Sequence, residues 1–225
     1  MENFDKCVYY NKKALELQPG NCYHNHSDIG LSYFRLAIKE GDIKYFDKAF
    51  KHCREALEMN SSYANALVNM GLIYKHQNQL EDALKQFTAA EKCDPKNIAA
   101  IVNIGVIHYE HKQDYDTAAI RFLDALEIKP DDEEALCNLA LALKKTQNYV
   151  EYAQIAFEEA VNVSPGNTYI LRNYMMFLLE QKNFAQFEKV MSNHAKIVME
   201  TKDLEMIAKL HEEFKEAIEG TEGHE

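Results

Sequence analysis

The sequence predicts an all-α fold in which antiparallel helix pairs stack in tandem as a solenoid, and three observations lead there. A block of roughly 34 or 35 residues recurs, most visibly in Pro95, Pro130 and Pro165, spaced 35 and 35. Proline and glycine number only 4 and 8 in 225 residues, too few for a chain dominated by turns. Small residues return in register: Gly30, Gly71, Gly105 and Ala140 form one column, Ala49, Ala83, Ala118 and Ala153 a second, and Ala56, Ala90, Ala125 and Ala160 a third.

These columns have a physical reading. Helices that cross closely need small residues where their backbones meet and large ones in the adjoining grooves, here Cys53, Phe87, Phe122 and Phe157. Alanines seven apart share one helix face. Proline ends the second helix of each unit and turns the chain toward the next. One hairpin cannot bury its apolar face alone, so successive units must stack.

Taken in order, the chain opens with a half repeat, 1–21, holding one helix over about Asn3 to Leu17. This orphan helix is either a natural cap or the edge of a longer array. Polar Asn11, in the slot later filled by Cys53 and the phenylalanines, favours the cap. Full repeats follow at about 22–61, 62–95, 96–130, 131–165 and 166–200. The first is seven residues too long around Gly41-Asp42, which reads as the turn. Seven residues are close to two helical turns, so the excess either lengthens both helices without rotating their faces or presents Ile38, Tyr45 and Phe46 as a secondary docking patch. In the last repeat Met175 and Phe187 replace small residues, which predicts a looser crossing. Leu204, Ile207, Ala208, His211, Phe214, Ala217 and Ile218 then recur at helical spacing, giving a capping helix over 201–218. Residues 219–225 read as a flexible tail.

Segment Ala64 to Pro95 carries Leu67-x2-Met70-Gly71-x2-Tyr74, then Ala83-x3-Phe87-x2-Ala90 and Pro95. It resembles the tetratricopeptide repeat family, and the resemblance extends over roughly residues 4–200. It implies a right-handed superhelical solenoid over 1–218, with about five full repeats, whose first helices line a concave groove for protein partners.

In that groove the resemblance places asparagines in register: Asn69, Asn103, Asn138 and Asn173, with Asp28 in the equivalent slot of the long repeat. A primary amide donates and accepts at once, so such a ladder pairs with a peptide backbone whatever its side chains. Asparagine is also a consensus residue of that column, so a purely structural role stays open. Val68, Val102, Cys137 and Arg172 precede the ladder; Leu72, Val106, Leu141 and Met176 follow it by three; Tyr109 and Tyr169 add aromatic surface. This apolar setting suits a partner helix or an extended peptide. Family members that clamp chaperone tails place lysine four residues before the asparagine; Asn65, Ala99, Glu134 and Tyr169 stand there instead. Arg172, Lys144 and Lys145 are the basic residues nearby. Chaperone C-terminal tails are therefore disfavoured partners.

Composition narrows the function classes. Lys and Arg number 25 against 36 Asp and Glu, a formal charge of −11, which lacks the positive footprint of a nucleic-acid binder. The longest apolar run, Tyr174 to Leu179, is too short for membrane insertion. The five cysteines include no C-x-x-C and read as reduced thiols of a cytoplasmic protein. Neither catalytic residues nor a cofactor are expected, and the nine histidines, including His24, His26, His108 and His111, complete no ligand spacing, so no metal is expected. The reading is a non-catalytic scaffold or adaptor subunit of a multiprotein complex in the cytoplasm, with a cytoskeletal or ciliary assembly as the alternative location and a loose likeness to repeat subunits of ciliary and trafficking complexes. Two alternatives stand: a regulatory, substrate-recruiting repeat region of a larger enzyme, and a homo-oligomeric structural protein.

Overall fold

The computed structural model describes residues 2–17, 22–200 and 213. The expected capping helix and tail, and the first turn at Pro19-Gly20-Asn21, lie outside the described residues, Glu213 apart. Every regular element among the described residues is helical. The chain divides into two compact units, 1–112 and 113–225. The first contains α1 (Glu2–Leu17), α2 (Tyr23–Glu40), α3 (Ile43–Met59), α4 (Ala64–His76), α5 (Leu80–Cys93), α6 (Ile98–Ile107) and a π-helical turn, His108–Lys112. The second contains α7 (Tyr115–Ile128), α8 (Glu133–Lys145), a 3-10 turn at Gln147–Tyr149, α9 (Val150–Val163), α10 (Thr168–Glu180) and α11 (Phe184–Glu200).

The turns after α5, α7 and α9 share one construction; the turn before α4 keeps the backbone bonds but has Ser61 and Tyr63 in place of the proline and the cap. At the end of α5 the Asp94 N–H donates to Ala90 O, Asn97 N–H donates to Asp94 O, and Asn97 Oδ1 accepts from Ala100 N–H at 3.1 Å to cap α6. Lys129 to Ala135 repeats this with Asp132 as the cap, and Ser164 to Ile170 with Asn167. The proline sits one residue past the C-cap, where it has no helical hydrogen bond to lose, and an Asn or Asp two residues on satisfies an orphan N–H of the next helix.

Turns inside four of the five full repeats are tighter and use left-handed backbone, whereas the 131–165 repeat turns through the 3-10 segment Gln147–Tyr149. Gly41 has φ +69° and its N–H donates to Ala37 O; Asn78, Gln113 and Lys182 hold φ of 60°, 53° and 55°. The seven-residue insertion lengthens helices on both sides of Gly41-Asp42: α2 and α3 run 18 and 17 residues, against 13 and 14 for α4 and α5. Asp42 caps α3 by accepting from Lys44 N–H.

The cores follow the columns. Ala49, Cys53 and Ala56, and likewise Ala83, Phe87 and Ala90, are fully buried in the first unit, as are Ala118, Phe122, Ala125, Ala153, Phe157 and Ala160 in the second. A Cβ added at Gly71 would stand 2.6 Å from the Phe87 ring, and one at Gly30 would stand 2.5 Å from Cys53 Sγ. The small-residue column is therefore a set of close approaches. In the last pair Met175 and Phe187 are both buried, and the Tyr174 ring stacks on Phe157 at 5.6 Å while its hydroxyl donates to Glu158 Oε1. Asn11 does not face solvent: its Oδ1 accepts from Asn25 Nδ2 of α2 at 3.1 Å, and its own Nδ2 donates to Cys7 O.

Candidate protein-interaction surfaces

The asparagine register splits by unit. In the first unit Asn69 is buried, and its Nδ2 donates to Ser27 O at 3.1 Å and to Ser27 Oγ at 3.0 Å. Asn103 is also buried; it accepts from Lys75 Nζ at 2.8 Å and donates to Ala99 O. Both amides thus tie first helices together, and Asn69 bridges α4 to α2. Val68 and Val102 are 5% and 2% exposed. Expecting these four to line an open groove is corrected on this point: neighbouring first helices pack closely enough to cover them. Val106 and Tyr109 are half-buried and Asp28 is exposed, so the open part of this face in the first unit is narrow.

In the second unit the same register is more open. Asn138 and Leu141 are half-buried; Lys144 reaches Glu180 at 2.7 Å; Tyr169 is exposed, with the Arg172 guanidinium 5.8 Å from its ring centre. Met176 is exposed, and Asn173 Nδ2 is buried without a hydrogen-bond partner.

The patch expected beside Gly41 is corrected in part. Tyr45 stacks on Tyr33 at 5.9 Å beneath Lys48 Nζ, and Phe46 packs against Phe34 and His76. Both rings seal the lengthened α2–α3 pair. Ile38 does project, joined by Ile43 across the turn.

A large apolar opening lies away from the residues expected to bind a partner. α7, α8 and the segment from Tyr149 through α9 line a groove of about 660 Å³. Leu136 and Leu139 form its buried floor, and Ile120, Leu123, Tyr149, Tyr152 and Ile155 its walls, exposed between 45% and 63%. Asp116 and Glu159 stand at its margin. The signal was present in the register: two residues after the opening alanine, the four second helices carry Lys51, Lys85, Ile120 and Ile155. A slot that is a solvated lysine in the first unit is isoleucine twice in the second.

Burial pushes the Cys53 and Cys137 thiols up to about 12, with Glu133 and Glu134 adding to the effect at Cys137. These thiols stay protonated and inert. Among the described residues one group has the composition of a metal-binding set: His26, His52 and Glu55. Among the described residues no helix is long and apolar enough to cross a membrane.

Residues 64–97 match the family model for the tetratricopeptide repeat. That segment carries a tetratricopeptide repeat. Mouse sperm-associated antigen 1 is 24% identical over 95 residues, 42% of this chain and 10% of that protein, so the chain spans about a tenth of that relative's length. Among solved structures, yeast Tom70 superposes with a TM-score of 0.70 at 17% identity, covering 96% of this chain and 43% of that one. YrrB, described as a tetratricopeptide protein with an unusual peptide-binding site, gives 0.56 at 18% identity over 88% of this chain and 97% of its own. At these identities the likeness is one of fold.

Proposed function

We propose that this chain is a non-catalytic scaffold subunit that holds an amphipathic helix of a protein partner in the groove of α7, α8 and α9. The observation that carries the reading is the groove itself: five large apolar side chains left open around a buried leucine floor. Exposed apolar surface gathered in one place, not scattered, marks a surface that some partner covers. Its volume suits a row of side chains from one face of a helix. Asp116 and Glu159 at the margin, on a chain of formal charge −11, favour basic residues flanking that apolar face. Five free cysteines, three of them buried, support placing the assembly in the cytoplasm.

A second reading rests on Asn173. With half-buried Asn138 and exposed Tyr169 and Met176 it marks the more open first-helix face of the second unit, which suits an extended peptide along α8 and α10.

The test is a selection of helical peptides on the intact chain, followed by calorimetric titration of the best binders. Ile120→Lys/Ile155→Lys installs the residue that α3 and α5 carry in the same slot, so the fold should be kept. We expect it to weaken binding at least about 10-fold, as loss of two interface anchors does. Loss with Asn138→Ala/Asn173→Ala instead would move the site to the first helices. Sedimentation of the wild type at rising concentration checks for a second copy; a dimer dissolved by Ile120→Lys would replace the foreign helix with this chain's own.

A further inference from the structure

His26 on α2 and His52 and Glu55 on α3 meet at a single point. His26 Nδ1 lies 3.1 Å from His52 Nδ1, His26 Nδ1 lies 2.9 Å from Glu55 Oε2, and His52 Nδ1 lies 3.1 Å from the same oxygen. Both imidazoles are mostly shielded, at 14% and 16% exposure, and the carboxylate is more open at 29%. We infer that these three atoms form a binding site for a divalent transition ion of the zinc class, with water in a fourth position.

The geometry points to an ion. Tetrahedral ligands at the usual Zn–N and Zn–O lengths of about 2.0–2.1 Å stand about 3.3 Å apart. The triangle here needs each side opened by only a few tenths of an ångström. Two Nδ1 atoms and one carboxylate oxygen are also poorly served by protons alone. A proton on one ring satisfies the contact it points along and leaves lone pairs facing each other on the remaining side. A divalent cation satisfies all three at once.

Sequence register supplies an independent argument. Four residues before the small-column position, the other repeats carry Leu67, Ile101 and Leu136, all buried. The long repeat alone puts histidine there. Three residues after the opening alanine, where His52 stands, the others carry Gln86, Arg121 and Ala156. A histidine in a core slot costs stability unless it is matched, and here it meets a second histidine and a carboxylate. The His52 ring is held by stacking on Tyr33 at 5.8 Å, and the Tyr33 hydroxyl accepts from Lys12 Nζ. Lys12, on the Tyr33 hydroxyl, and Lys51 Nζ, 3.7 Å from Glu55 Oε1, are positive charges working against a cation; both lysines are exposed, and solvent screens them. The bound ion would clamp α2 to α3.

The test uses the full chain stripped with a chelator. Zinc chloride is titrated by calorimetry, cobalt chloride by its visible absorption, and the thermal midpoint is read with and without zinc. One equivalent should bind, and saturating zinc should raise the midpoint by about 5 °C or more. His26→Leu restores the residue type of the other repeats and should fold at least as well without metal. It should abolish the zinc-dependent rise, and Glu55→Gln should weaken binding by about 10-fold or more. His24→Ala, altering an exposed neighbour outside the triangle, should leave both readouts unchanged. Absence of saturable binding, or zinc binding undiminished in His26→Leu, overturns the site and leaves a proton-bridged polar cluster in its place.

Discussion

At the residue scale, the glycine column shows what a single methyl group is worth. Gly71 lets α4 approach α5 until the fully buried Phe87 ring is in contact. Gly71→Ala drives a Cβ to within 2.6 Å of a ring that has no room to retreat, so it should destabilise the chain by about 1–3 kcal/mol in urea denaturation. Gly166→Ala is the contrast: nothing lies within 4 Å of its added Cβ, and its stability should stay within about 0.5 kcal/mol of wild type. If the two variants unfold at the same midpoint, close approach is not what the column is for. The cysteines sort by the same burial. Cys93 is exposed and Cys7 half-buried, whereas Cys22, Cys53 and Cys137 are enclosed. In the native chain an aromatic disulfide reagent should modify Cys93 first and Cys7 more slowly, with the other three reacting only after unfolding. Fast labelling of Cys53 would show that α2 and α3 separate readily.

At the element scale, the helices were legible because their causes are local. Apolar period, alanine columns and proline-bearing turns set the boundaries, and Gly41-Asp42 marks the turn of the long pair because glycine takes a left-handed φ and aspartate caps α3. The residues after the prolines carry more than the repeat pattern states: Asn97, Asp132 and Asn167 are each the N-cap of a first helix. Asp132→Ala should therefore cost about 1 kcal/mol, with increased amide exchange confined to the first turn of α8. Surfaces were less legible. Periodicity tells which residues share a helix face but not whether another helix covers that face. Asn69 and Asn103 share their register with Asn138 and Asn173, yet the first two are buried against α2, Lys75 and Ala99 while the latter are half-open. Tyr45 and Phe46 were placed on the right helix, but the rings turn inward because lengthening both helices creates new core to fill. The metal-ligand triangle was hidden for a related reason: its members are 26 and 29 residues apart, counted from His26 to His52 and to Glu55, and only the hairpin brings them together.

At the scale of the whole molecule, the units differ in what their second helices show to solvent. α3 and α5 carry lysine at the slot where α7 and α9 carry isoleucine, so equivalent faces are solvated in one unit and apolar in the other. A repeat array gains nothing in stability from exposed isoleucine, since the neighbouring core is already complete with Phe122 and Phe157. Ile120→Lys/Ile155→Lys should therefore leave the unfolding free energy from urea denaturation within about 0.5 kcal/mol of wild type while weakening partner binding at least about 10-fold. The charge of −11 adds a separable expectation. If the partner helix is apolar on one face and basic at its flanks, raising salt from about 50 to 500 mM should slow association several-fold and leave dissociation almost unchanged, because long-range attraction is screened and apolar contact is not. Stopped-flow mixing with a selected peptide separates the two rates. A salt-independent association rate would mean that the acidic surface plays no part in choosing the partner, and that the leucine floor with its isoleucine and tyrosine walls recognises apolar shape alone.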